Sequence, residues 1–222
     1  MRTPILPTFG LAAVMIAGGQ LALAEQPATA PSEQTATAPA SPTTAPGHSP
    51  KSSLKAYNAA MRAGDADGIV ALMHAADEKE QRVAKAIARS EVYVGKMLES
   101  VRGKFGPEGA ARAARAIGDV SDADIESSVE TIEGDRAILR FGGEGGSATL
   151  VRVDGEWKSS TAAVLRGFNG DADAAVDQFQ RRGNFAKVLA QDVAAGQVKT
   201  PDEVVARIEK HQRGASDDEP AN

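Results

Sequence analysis

Val151-Arg152-Val153-Asp154-Gly155-Glu156-Trp157-Lys158 carries the densest structural signal in the chain. Asp-Gly between two alternating segments marks a two-residue hairpin, because both central positions must take positive φ. Residues 147–153 and a segment from Glu156 to about Ala162 read as its strands. Upstream, Ser128 to Glu133 and Arg136 to Phe141 follow the same period of two, separated by Gly134-Asp135. The run Gly142 to Gly146 divides them from the hairpin. Four successive strands with short connections make an antiparallel sheet. Trp157 is a lone large aromatic among strand residues, so it is expected to face a helix layer containing Tyr57, Met61, Met97 and Leu98.

On both sides of these strands the period changes to that of a helix. Ser52 or Ser53 caps a first helix carrying Leu54, Tyr57, Ala60 and Met61, and Gly64 ends it. Asp65 starts a second, with Ile69, Val70, Leu72 and Met73, and His74 falls at its end. Asp77 to Lys104 gives the strongest helical pattern, an apolar stripe through Val83, Ile87, Val94, Met97, Leu98 and Val101. Gly106-Pro107 stops that helix, and a short Ala/Arg-rich one follows to Ile117. After Phe168 come Val176, Phe179, Val188, Leu189 and Val193, with Gly183-Asn184 offering a division into two helices. Thr200-Pro201-Asp202-Glu203 starts a last helix, Thr as cap, Pro in the first turn and Glu closing a capping box. The order predicts an α+β fold, with N-terminal helices packed on a curved antiparallel sheet and extra C-terminal helices at 166–213. Residues 214–222 form a polar tail.

The first residues read as a cleavable export signal. Arg2 supplies a positive n-region, Phe9 to Ala17 an apolar stretch, and Ala22-Leu23-Ala24 the small residues a signal peptidase recognises. Pro4, Pro7, Gly18, Gly19 and Gln20 interrupt it, whereas a membrane span needs roughly 20 continuous apolar residues. No membrane span is expected after cleavage. Residues 25–51 are rich in Ala, Pro, Thr and Ser and predict a disordered linker, because they cannot bury enough surface to offset their ordering entropy. The expected location is therefore periplasmic or secreted, of the bacterial kind.

Composition excludes several function classes. With no cysteine there is no lipobox, disulfide, thiolate nucleophile or Cys-based zinc site. The formal charge of −5 becomes −6 when Arg2 leaves with the signal, 24 Lys and Arg then facing 30 Asp and Glu. A mildly acidic chain lacks the basic face that nucleic-acid binding requires. One Trp and two Tyr are too few for a base-stacking platform or a sugar groove.

Two phrases point to a family. Ala63-Gly64-Asp65-Ala66-Asp67-Gly68-Ile69-Val70-Ala71-Leu72-Met73 resembles the turn between the first helices of the nuclear transport factor 2-like (cystatin-like α+β) superfamily. Val151 to Lys158 resembles that superfamily's late hairpin, where Trp follows an Asp-Gly turn. The resemblance covers residues 52–165. It implies a curved sheet wrapped around helices and enclosing a cone-shaped apolar pocket, for which Tyr57, Met61, Tyr93, Met97 and Trp157 are the lining candidates. Steroid-isomerase-like members use a pocket carboxylate with a phenol beside it. Tyr57 and Tyr93 are the phenols here, and both read more simply as packing residues. No partner carboxylate is identifiable, so no catalytic residue is assigned.

Other motifs reduce to structure. His48, His74 and His211 are scattered without acidic ligands at metal spacing, so no metal or cofactor is expected. Asp65-Ala66-Asp67-Gly68 lacks the rest of a calcium loop, and Asp65 serves as a helix cap. Asn169-Gly170-Asp171-Ala172-Asp173 caps the next helix in the same way. Gly143-Glu144-Gly145-Gly146-Ser147-Ala148 imitates a dinucleotide fingerprint, but a strand rather than a helix follows it.

The expected function is an exported, non-catalytic domain that binds a small apolar ligand or a protein partner in the cell envelope. The C-terminal helices leave a homodimer open. The alternatives are a small isomerase- or dehydratase-like enzyme acting on an apolar carbonyl compound, and a helix-rich structural envelope protein. Intact mass of the protein recovered from an exporting host should begin at Glu25. Retention of residues 9–17 in the mature protein would refute the export reading.

Overall fold

The computed structural model describes residues 49–142 and 146–214. The signal at 1–24, the linker up to residue 48, residues 143–145 of the glycine run and the tail from 215 lie outside the described residues.

The architecture is α+β, helices packed against a five-stranded sheet and followed by C-terminal helices. Helix α1 (Pro50–Ala63) is capped by Ser49, three residues before the expected start. Ser49 Oγ accepts from Ser52 N–H at 3.1 Å and Ser52 Oγ accepts from Ser49 N–H at 3.0 Å. Pro50 fits because the first helical turn needs no amide donor. Gly64 closes α1 at φ 70°, and Asp65 Oδ1 accepts from Gly68 N–H at 2.8 Å to start α2 (Ala66–Ala71), both as the sequence predicts.

The second helix is shorter than expected. Met73 and His74 form a strand, β1 (Met73–His74), so His74 does not sit at a helix end. Helix α3 (Glu78–Ile117) then runs through the two helices predicted at 77–104 and up to Ile117. The predicted break survives as one residue, Gly106, at φ 76° and ψ 179°. Pro107 follows it and forbids a continuous hydrogen-bond ladder across that point.

Helix α4 (Asp122–Ser127) escaped the periodicity because it is too short to show one. Its local signal is the pair Ser121 and Asp124, whose side chains accept from each other's N–H at 3.1 and 3.0 Å.

Strands β2 (Val129–Glu133), β3 (Arg136–Arg140), β4 (Ser147–Val153) and β5 (Glu156–Ser160) make an antiparallel meander, and β1 adds to β5 in parallel. The sheet is therefore mixed, in the order β1-β5-β4-β3-β2, rather than wholly antiparallel. Asp154 and Gly155 turn at φ 52° and 85° and set Val153 opposite Glu156, as the hairpin signal requires. The last strand stops at Ser160 instead of Ala162. Ser160 Oγ accepts from Ala163 N–H at 3.2 Å and so opens helix α5 (Thr161–Gly167).

Helix α6 (Ala172–Ala194) is continuous through Gly183-Asn184, where a division was expected. Gly183 is there for proximity: a Cβ on it would stand 3.1 Å from Ser90 Cα of α3. Helix α7 (Pro201–Gly214) starts where the sequence predicts, with Thr200 Oγ1 accepting from Glu203 N–H at 3.2 Å. The Glu203 carboxylate accepts from Lys199 N–H, one residue before the position a capping box would use.

Two packed clusters result. The larger joins α1, α2, α3, α6 and α7 through residues such as Met61, Val83, Met97, Leu189, Val204 and Ile208. Helices beyond residue 166 thus share a core with the N-terminal ones. The smaller lies under the sheet and contains Leu54, Val120, Ile125, Leu139, Leu150 and Trp157. Trp157 is 4% exposed, as expected, but its cluster holds Leu54 of α1 rather than Tyr57, Met61 or Met97. Arg152, its partner in the hairpin, lies over the ring at 5.9 Å. Trp157→Ala should cost about 3–5 kcal/mol in chemical denaturation, as large aromatic truncations do, and native indole emission should be blue-shifted and resist quenchers. A variant as stable as wild type would contradict this packing.

Candidate functional site

Alternation along the meander gives the sheet two faces. Ala137, Leu139, Ala148, Leu150 and Trp157 fill the cluster beneath it. The intervening residues, Arg136, Thr149, Val151 and Ser160, point to the other side. There they floor an open groove of about 590 Å³.

Three elements make its rim. His74 of β1 pairs with Ser160 and so shares its face. Glu80 enters from the first turn of α3, where its carboxylate accepts from Ala76 N–H at 2.8 Å and its own N–H donates to Asp77 at 2.8 Å. Arg166 comes from α5, four residues after Ala162, so the two lie on one side of that helix.

The charge balance of the groove is cationic. Arg136 and Arg166 are exposed and hold no ion pair or hydrogen bond among the described residues. Glu80 is the opposing carboxylate, and one of its oxygens is engaged by a backbone donor. A guanidinium presents planar paired donors that match a carboxylate or phosphate. Thr149 and Ser160 add hydroxyls, and Val151 gives an apolar floor.

A second polar constellation is buried in the helical core. Arg182 of α6 donates to Glu91 Oε1 of α3, with their side chains 11% and 1% exposed. Tyr57 Oη, Ser90 Oγ, Glu91 Oε2, and Arg182 Nε and Nη2 are buried without a partner among the described residues. Burial raises the Glu91 carboxyl above its usual range, against the pull of Arg182. Burial first, then the Glu91 charge, push the Tyr57 phenol well above its ordinary value. Asp119, at the end of α3, is pushed up to about 6, by burial first and by Glu91 second. These groups set the relation of α1, α3 and α6.

The five candidates named from the sequence do not converge. Tyr57, Met61 and Met97 are buried in the helical cluster, and Tyr93 packs half-buried against it. Trp157 is in the other cluster. None of the five lines the groove. What the sequence reading missed are Arg136, Thr149 and Arg166. Arg136 and Thr149 were within reach, because each alternates with a residue that must face the core, Ala137 or Ala148 and Leu150. Arg166 was not, since it lies on α5, which the periodicity did not reveal.

The chain matches no protein-family model, no curated protein and no solved structure. Among the described residues no helix is long and apolar enough to cross a membrane.

Arg182→Met should destabilise the fold by about 3–5 kcal/mol, because it leaves Glu91 buried without its counter-charge. Adding Glu91→Leu should recover most of that loss. A double variant whose loss equals the sum of those of Arg182→Met and Glu91→Leu alone, measured by urea denaturation, would show that the pair is not coupled.

Proposed function

We propose that this chain is an exported, non-catalytic binding domain whose groove takes a small ligand bearing a carboxylate or phosphate group. The observation that carries the reading is the pair Arg136 and Arg166. They come from separate elements, flank one concave surface and are unpaired among the described residues. In an acidic chain, two such guanidinium groups at one groove favour an anion over an apolar molecule. Thr149 and Ser160 would donate to the remaining oxygens, and Val151 would cover an apolar portion of the ligand.

Export is supported by Arg2, the apolar stretch Phe9 to Ala17 and Ala22-Leu23-Ala24. A periplasmic or secreted location follows from the same residues. We also propose kinship with the nuclear transport factor 2-like superfamily. Its support is the packing of N-terminal helices on a sheet whose Asp154-Gly155 hairpin buries Trp157.

Titration with inorganic phosphate and with succinate, followed by amide chemical shifts, tests the ligand class. Shifts should concentrate at His74, Thr149, Val151 and Ser160. Arg136→Gln with Arg166→Gln should weaken binding about a hundredfold, as loss of two charge-assisted contacts implies. Shifts elsewhere, or binding unchanged in the double variant, would reject the groove as the site.

A further inference from the structure

The sheet ends on one side at β2, with Val129 65% and Ile132 50% exposed. The hairpin at Gly134-Asp135 sets the phase of the backbone hydrogen bonds along this strand. A two-residue hairpin makes its flanking pair, Glu133 and Arg136, exchange both bonds. Alternation then gives bonded pairs at Thr131 with Ile138 and at Val129 with Arg140. The N–H and C=O groups of Glu130 and Ile132 therefore point away from β3, to an edge that no strand among the described residues covers. The donation from Arg152 N–H to Asp135 C=O at 2.7 Å, on the far side of β3, fits the same phase.

We propose that this edge pairs with the same edge of a second copy of the chain, β2 against β2 and antiparallel, across a twofold axis at Thr131. Backbone phase and side-chain charge select that register together. Outward groups can bond only to outward groups, so Glu130 must meet either Glu130 or Ile132 of the other copy. An axis at Glu130 sets carboxylate against carboxylate, which is unfavourable across a strand pair. An axis at Ile132 leaves Glu130 opposite Gly134 of the turn, beyond the end of the strand. An axis at Thr131 pairs Glu130 with Ile132 twice, so all four outward N–H groups and their carbonyls find partners. It also sets Thr131 against Thr131 and Val129 against Glu133, with no like charges opposite. On the groove face, a row then runs Arg140, Val129, Glu133, Arg136 across the two copies. The acidic residues discourage generic strand addition while leaving this one register open. The contact is small, so the dimer is weak and concentration-dependent.

The chain has no cysteine, so a single introduced thiol reports the register directly. Residues opposed at a non-hydrogen-bonded antiparallel pair have Cα atoms about 4.5 Å apart, within disulfide reach. Thr131→Cys in the full chain should oxidise to a covalent dimer at least about tenfold faster than Val129→Cys or Glu133→Cys, whose own copies lie several residues apart. Ile132→Pro removes an outward N–H and keeps the bonds to β3, since Pro is tolerated on an edge strand. It should abolish the dimer in sedimentation equilibrium, with unchanged circular dichroism and melting. Wild type that is monomeric at about millimolar concentration, well above the weak-dimer range, would overturn the proposal. So would equal oxidation rates at the three positions, or a dimer that survives Ile132→Pro.

Discussion

The contact between α3 and α6 is the constraint on which the rest of the molecule depends. Gly183 lets the two backbones approach until a methyl group would crowd Ser90, and one residue away Arg182 meets Glu91 in a dry interior. A buried ion pair adds little net stability, because desolvating both groups offsets their attraction. Its effect is on register. Sliding α6 by a turn would strand two charges, whereas sliding an all-apolar helix would only trade one Leu for another. Once α6 is fixed, α3 offers a second close approach at Gly95, where a Cβ would lie 2.5 Å from Met61 O of α1. Leu54, two turns earlier on the same face of α1, then carries the sheet.

This arrangement explains why the large apolar residues singled out in the sequence became packing rather than pocket. Tyr57 and Leu54 leave the same face of α1 one turn apart, and each enters a different cluster. That one face of α1 is buried along its length by Leu54, Tyr57, Asn58 and Met61, and a cone-shaped cavity between helices and sheet would need it free. The groove of Arg136 and Arg166 is on the far side of the sheet, where alternation puts the residues that the core rejected. Its character is therefore polar and cationic, set by Arg136 and Arg166 rather than by aromatics.

Much of the fold was legible because its signals are local. Asp154-Gly155 fixes its own turn, Asp65 and Asp171 cap the helices that follow them, and Thr200-Pro201 starts α7 with no outside help. The errors fall where a distant partner decides. Met73 and His74 continue a helical pattern on paper, yet form a strand because β5 offers them a ladder. Thr161 and Ala162 continue a strand pattern, yet Ser160 caps a helix there. Gly183 looks like a helix breaker until α3 is placed against it. The groove was half legible for the same reason: strand alternation gives the face of Arg136, but only the tertiary structure brings α5 and the start of α3 to its rim.

The parallel pairing of β1 with β5 has a consequence for how the chain reaches this state. Met73 meets Ser159, and Arg182 meets Glu91 across 91 residues, so both joints bridge the two halves of the sequence. Parallel pairs cannot be nucleated by a tight turn, and closing so long a loop costs entropy before any contact repays it. The meander β2 to β5 and the single helices form from neighbours, and the search ends only when the C-terminal half docks onto the N-terminal one. A nascent chain released before residue 182 would hold Glu91 without its counter-charge and α3 with its apolar stripe uncovered. Such a chain stays open until the segment carrying Arg182 has emerged.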